Sequence, residues 1–149
     1  MIKHVFILLI VFSSINSIYS QNRVIQGKVI YDHDFEPIPY ADIIINDSIK
    51  IGRTGRDGCF QFETSLPVNK LSFWYYGMEE ADLTLSDNCN YIELIMIPLP
   101  HRCFMSLRKI NKERRKLYKN LPRLHKEAYE KGIFLSPEVC YIQEFYEYR

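Results

Sequence analysis

Residues 49–63 read Ile49-Lys50-Ile51-Gly52-Arg53-Thr54-Gly55-Arg56-Asp57-Gly58-Cys59-Phe60-Gln61-Phe62-Glu63, and this stretch decides the fold class. Asp57-Gly58 tolerates the positive backbone φ of a tight turn and is a strong hairpin signal. After it, Phe60 and Phe62 alternate with Gln61 and Glu63, the period of a half-buried strand. Before it, Ile49 to Thr54 can pair back behind Asn46-Asp47-Ser48, which has turn chemistry. Working outward, Val24 to Tyr31 predicts a first strand and Asp32 to Pro39 a loop with two prolines. Ala41 to Ile45 is apolar and largely β-branched, as a buried strand is. Leu71, Phe73 and Tyr75 make one face of a later strand and Ser72, Trp74 and Tyr76 the other. Ala81 to Leu85 and Tyr91 to Ile97 complete about seven short strands at regular spacing, the rhythm of a β-sandwich.

Bulk properties agree with a globular body. The chain has 149 residues, 47% hydrophobic and 25% charged, which bounds it to about one domain. Its N-terminus has the layout of a cleaved secretory signal. Lys3 and His4 precede the apolar run Val5 to Phe12, polar residues follow, and Ser20 is small enough to stand before a cut. Eight apolar residues fall short of the roughly twenty that span a bilayer. No cysteine stands at the cut, so this signal does not predict lipid anchoring. The expected organisation is a signal peptide over 1–20, a sandwich over 21–100 and a basic amphipathic helical extension with a short tail over 101–149. Export implies a periplasmic or outer-membrane-associated protein, or one at the cell surface.

Charge divides the mature chain. Gln21 to Pro100 carries 6 Lys and Arg against 12 Asp and Glu, whereas His101 to Lys131 carries 11 against 3. A near-neutral total hides an acidic body and a basic arm. In the arm, Phe104, Leu107, Ile110, Leu117, Tyr118, Leu121 and Leu124 fall within about half of a helical wheel. Lys109, Lys112, Arg115, Lys116 and Lys119 take the other side, and Arg114 alone intrudes on the apolar stripe. Pro122 is expected to kink or restart the helix, with Asn120 as a cap and Gly132 as a stop. The apolar stripe either folds down on the acidic sandwich or serves an anionic membrane surface or another protein. Removal of residues 101–149 is expected to leave a folded, soluble sandwich; aggregation would place the segment in the core.

Cys59, Cys89, Cys103 and Cys140 all lie in the mature chain, and four cysteines permit three pairings. A bond between Cys103 and Cys140 ties the two ends of the C-terminal segment together; free thiols are the alternative. No pair has Cys-x-x-Cys spacing, so a structural zinc site has no support.

Three ordered motifs carry a family resemblance. Gly27-Lys28-Val29 is followed by Glu36-Pro37-Ile38-Pro39-Tyr40-Ala41-Asp42-Ile43, then by Gly52-x-Thr54-x-x-Asp57-Gly58-x-Phe60 and Leu71-Ser72-Phe73-x-Tyr75-x-Gly77. Together they resemble the carboxypeptidase-regulatory-like family over about half of the chain. The resemblance implies a mainly β, seven-stranded Greek-key sandwich of the transthyretin-like (prealbumin-like) type, here followed by the amphipathic helical segment. It also implies an accessory role beside peptidases or outer-membrane transport receptors. Gly55 departs from the Asp or Asn usual after the Thr, which loosens the turn, and Trp74 departs from a small polar residue.

Enzyme readings lack support. His33 and Glu36 have His-x-x-Glu spacing, but catalytic zinc needs further protein ligands and a general base. His101 and His125 lie outside the predicted sandwich with no supporting motif. No Gly-x-Ser-x-Gly elbow, phosphate-binding loop or dinucleotide fingerprint occurs. The sequence therefore predicts a non-catalytic interaction module of the bacterial cell envelope, with no metal or cofactor and no nucleic-acid partner. Its expected partner is another envelope protein, contacted through Arg115, Lys116 and Lys119, with peripheral contact to an anionic membrane surface as a further expectation. The alternative is a surface carbohydrate-binding module in which Trp74 and Tyr76 stack on a sugar, unless the arm buries them. Asp47-Ser48-Ile49 also resembles a short bacterial O-glycosylation acceptor, with Ser48 as the modified residue.

Overall fold

The computed structural model describes residues 22–101 and 103–149; the expected signal segment lies outside them. The strands are β1 (Arg23–Tyr31), β2 (Asp42–Ile45), β3 (Ile49–Arg53), β4 (Cys59–Thr64), β5 (Lys70–Trp74), β6 (Ala81–Leu85), β7 (Tyr91–Met96) and β8 (Tyr141–Gln143). One helix, α1 (Leu107–Glu130), separates β7 from β8. The strands form two sheets, ordered β4-β1-β7 and β3-β2-β5-β6-β8. The five-stranded sheet is antiparallel throughout. In the other, β1 runs antiparallel to β4 and parallel to β7.

Side-chain alternation builds the core between the sheets. Ile25 and Val29 of β1, Phe60 of β4 and Leu94 of β7 meet Ile43 of β2, Phe73 of β5 and Leu83 of β6, all buried. Two glycines let backbones close. Opposite Gly27 in the parallel register stands Ile92, and a Cβ on Gly27 would lie 1.9 Å from the Ile92 carbonyl oxygen. At Gly58, φ is +70° and a Cβ would lie 2.5 Å from the Val29 carbonyl oxygen.

That second approach corrects the hairpin expected at Asp57-Gly58. The turn forms, but β3 pairs with β2 while β4 pairs with β1, so the segment arches from one sheet to the other. Thr54 fixes its start: its buried hydroxyl donates to the Ile38 carbonyl (2.7 Å) and accepts from the Ala41 N–H (2.9 Å). The Val29 N–H then donates to the Gly58 carbonyl at 2.9 Å, holding the far side to β1. The true hairpin is one turn earlier, between β2 and β3, where Asn46 and Asp47 both take positive φ, the requirement of a two-residue hairpin turn.

The C-terminal segment is integral to this architecture. The inner residues of β7 join the sandwich core, while outward-facing Ile95 packs with Ile30 against Ala128 and Phe134, flanked by Leu121, Leu124 and Ile133. A strand covered on both faces reads as a continuous apolar run, which accounts for Ile92 to Ile97. The α1 N-cap is Ser106, whose hydroxyl accepts from the Lys109 N–H, and Gly132, with φ +71°, takes the left-handed position just past its end.

Three expectations for this segment change. The helix runs unbroken through Pro122. Buried Asn111 and Arg114 on one side of the proline, and buried His125 and Ala128 on the other, hold both halves against the body. Asn120 is not a cap; its side chain accepts from Arg123 Nε at 2.7 Å. Phe104, expected on the apolar stripe, lies ahead of the helix and is exposed.

The expected Cys103–Cys140 bond does not form. Cys140 bonds to Cys89, with Cα atoms 5.2 Å apart, and Cys103 is a free, exposed thiol. Cys103 precedes the helix and Cys140 follows it, and the intervening 24 residues of α1 extend for about 36 Å at the helical rise. Cys140 instead arrives beside the turn after β6, where its carbonyl accepts from the Ser86 N–H and hydroxyl. Residues beyond Pro100 therefore supply a sheet strand, a disulfide partner and the cover of β7.

Candidate functional site

Helix α1 meets the sandwich at two buried carboxylates. Glu79, in the β5–β6 connection, takes the Arg114 guanidinium in a two-pronged ion pair, through Nε and, at 3.0 Å, Nη2. Both side chains are at most 5% exposed. Arg114 Nη1 donates to the Tyr146 carbonyl at 2.7 Å, and the guanidinium lies 3.8 Å from the centroid of the Tyr148 ring. Asn111, one helical turn earlier, exchanges two 3.0 Å hydrogen bonds with the Tyr148 backbone. The second carboxylate, Glu93 on β7, accepts from the backbone N–H groups of Leu135 and Ser136. Tyr141 of β8 donates its hydroxyl to the Glu93 carbonyl at 2.6 Å. Burial, and then the Glu93 charge, push the Tyr141 phenol up, so it stays a neutral donor.

These contacts hold α1 and β8 apart enough to leave a cleft of about 680 Å³ between them and β7. Tyr118, Leu121 and Pro122 of the helix face Val139, Tyr141 and Phe145 of the tail, with Arg115 and Lys119 also on the lining. Phe145 stacks edge-on against Tyr118 at 4.9 Å. His125 borders the cleft, buried against Phe134 with ring centroids 4.8 Å apart. Both of its ring nitrogens are sealed from solvent. Burial holds its pKa below the ordinary range; the Glu93 carboxylate, and hydrogen bonds with the Pro137 and Glu93 backbone, act in the other direction. Among the described residues the lining has no Ser, Thr or Cys, and it offers apolar surface, cations and hydrogen-bonding groups.

The sequence-predicted contacts divide between two places. Arg115 and Lys119 line the cleft, whereas Lys116, with Lys109 and Lys112, lies on the exposed side of α1. Trp74 and Tyr76 are not part of the lining and are uncovered, at 48% and 86% exposure. The strand ends at Trp74, so Tyr76 belongs to the following turn rather than to the same strand face. Asp42 stands opposite Trp74 in register and holds Lys50 and Arg53, each at 2.6 Å. Ser48 is exposed at the end of the β2–β3 turn, its hydroxyl 3.3 Å from the Asn46 carbonyl.

Sequence reasoning missed Glu79 and Glu93, and gave no site role to His125 or Cys89. Two local signals were present, one for Glu93 itself and one for a buried partner of Arg114. Arg114 was the single charge on the helix's apolar stripe, and Glu93 is the single charge within the apolar run from Ile92 to Ile97; a lone charge on a buried face implies a partner. Glu79 and His125 had no such signal. Among the described residues, no group of three or more His, Cys, Asp or Glu is placed to hold a metal ion, and no helix is long and apolar enough to cross a membrane.

No family model matches the chain, and no curated protein matches it.

Proposed function

We propose that the chain is an exported, non-catalytic interaction module of a bacterial cell envelope, periplasmic or outer-membrane-associated, that binds another envelope protein. In this reading residues 21–100 are a carboxypeptidase-regulatory-like domain, and the seven strands ahead of α1 are its transthyretin-like Greek-key sandwich. The motif residues support that assignment through their structural roles. Gly27 and Gly58 permit close backbone approach, Thr54 staples the loop before β2, and Asp57 accepts from the Cys59 N–H in the arch.

One observation carries the functional reading: α1 lays its apolar side on the body and turns Lys109, Lys112, Arg115, Lys116 and Lys119 to solvent. A predominantly basic face steers association with a partner of opposite charge and weakens with salt. A photo-crosslinker beside Lys116 should capture an acidic envelope protein. Capture should fall at least tenfold in a Lys109→Glu, Lys112→Glu, Lys116→Glu variant, and also as ionic strength rises. Capture indifferent to both would rule out this face.

The exposure of Trp74 and Tyr76 favours a second reading, a carbohydrate-binding module of the cell surface. An exposed tryptophan flanked by the Asp42–Lys50–Arg53 cluster offers a stacking plane with polar groups beside it. Under this reading Trp74→Ala abolishes retention on a polysaccharide column. If the unmodified chain is not retained, the protein-partner reading stands alone.

A further inference from the structure

Past β8, residues 144–149 have no regular secondary structure, yet they are held as an extended peptide is held. β8 adds to the edge of β6, with Leu85 opposite Tyr141 and Leu83 opposite Gln143. The Glu144 N–H carries the pairing on to the Asp82 carbonyl at 2.8 Å. Main-chain pairing on a sheet edge takes up extended segments without regard to their side chains. Beyond the edge, the Asn111 side chain donates to the Tyr148 carbonyl and accepts from the Tyr148 N–H, both at 3.0 Å. A clamp on both backbone groups of one residue again reads an extended backbone. Arg114 and Arg115 add selectivity. Nη1 of Arg114 donates to the Tyr146 carbonyl at 2.7 Å, and its guanidinium lies 4.9 Å from the Phe145 ring centroid and 3.8 Å from that of Tyr148. Aromatic faces attract a guanidinium, and Arg115 pairs with Glu147 between the two rings in sequence.

The seat and its occupant differ in how firmly they are held. Glu79, Asn111 and Arg114 are buried, and they are bonded to one another without help from residues 144–149. Glu79 takes Arg114 through two prongs, and Arg114 Nη1 donates to Asn111 Oδ1 at 3.2 Å. The seat is therefore preorganised. Residues 142–149, in contrast, are all exposed or half-buried. A segment with few buried apolar contacts opens at a cost below that of global unfolding. Opening also has a fixed limit: Cys140 is bonded to Cys89, and the Tyr141 hydroxyl donates to the Glu93 carbonyl.

We propose that residues 142–149 are a displaceable strap, and that the seat beneath them binds an extended segment of a protein partner. That segment carries aromatic residues three positions apart with an acidic residue between them. The strap is its template, because Phe145, Glu147 and Tyr148 fill those positions. The proposal rests on the reading of the chain as a protein-binding module. It uses Asn111 and Arg114 rather than the solvent side of α1, so crosslinking at Lys116 and occupancy of the seat can fail separately.

Fluorescence anisotropy of a labelled peptide with the sequence of residues 142–149, titrated with the full chain, decides the matter. A closed strap lowers the apparent affinity by the fraction of chains that are open. Phe145→Ala with Tyr148→Ala in the chain loosens the strap, so this variant should bind the peptide at least tenfold more tightly than the unmodified chain. A peptide with alanine at the positions of Phe145 and Tyr148 should bind the same variant at least tenfold more weakly, a comparison that leaves the protein unchanged. Adding Asn111→Ala to the strap variant should cost a similar factor. In the unmodified chain, the amides of Glu144 and Tyr148 should exchange with solvent at least tenfold faster than those of β5. No binding to either chain, equal binding to both, equal binding of the two peptides, or strap amides that exchange only on global unfolding would each overturn the proposal. So would a dimer of the unmodified chain that the peptide dissociates, which would make a second copy the occupant.

Discussion

Arg114 is where one residue ties three parts of the chain together. Its guanidinium joins α1 to Glu79 of the sandwich, to the Tyr146 carbonyl and to the ring of Tyr148. Desolvating two charges offsets much of their attraction, so such a pair adds modestly to stability while intact. Removing one partner is different, because it leaves the other charged and buried. Arg114→Ala should therefore lower stability by about 3–5 kcal/mol, read as a fall in the urea midpoint. Replacing both members, as Glu79→Leu with Arg114→Met, should recover most of that loss. A single variant as stable as the unmodified chain would contradict the pair's role. The sequence made Arg114 conspicuous as the only charge on an apolar stripe. It did not give the partner, because Glu79 is 35 positions away and only tertiary packing brings the two together.

At the scale of elements, strands and helix were readable because their signals are local. Side-chain alternation, the Asn46-Asp47 turn and the apolar stripe of α1 all act within a few residues. Pairing was not readable to the same degree. Asp57-Gly58 announces a turn equally well for a hairpin and for an arch, and the choice depends on Gly58 meeting the backbone of Val29. Pro122 shows the converse. Its missing N–H and ring disfavour a helix interior, but burial on both sides of it holds α1 continuous. The dependence of β7 on α1 gives a further prediction. A chain ending at Pro100 would leave Ile30, Ile95 and Ile97, each at most 3% exposed in the whole chain, largely facing water. At about 1.5–3 kcal/mol for each buried side chain, the loss approaches the whole stability of a small domain. The truncated protein should aggregate or lose its cooperative thermal transition, the reverse of what the sequence predicts. A monomeric elution profile with an intact transition would show the arm to be dispensable.

For the whole molecule, charge and covalent closure act together. The acidic body and basic arm attract each other broadly, but Glu79–Arg114 is the buried ion pair that joins them among the described residues. The Cys89–Cys140 bond, 51 residues apart in sequence, fixes β8 beside β6 and so sets one wall of the cleft. By itself the sequence determined a two-sheet sandwich, most strand positions, the helix and its basic side, because each follows from local periodicity and turn chemistry. Only the tertiary structure decided that the arm completes the fold, which cysteines pair, and that Arg115, Lys119 and His125 share a cleft with Val139 and Phe145. Those outcomes depend on distances between residues remote in the chain, and local sequence rules carry no information about such distances.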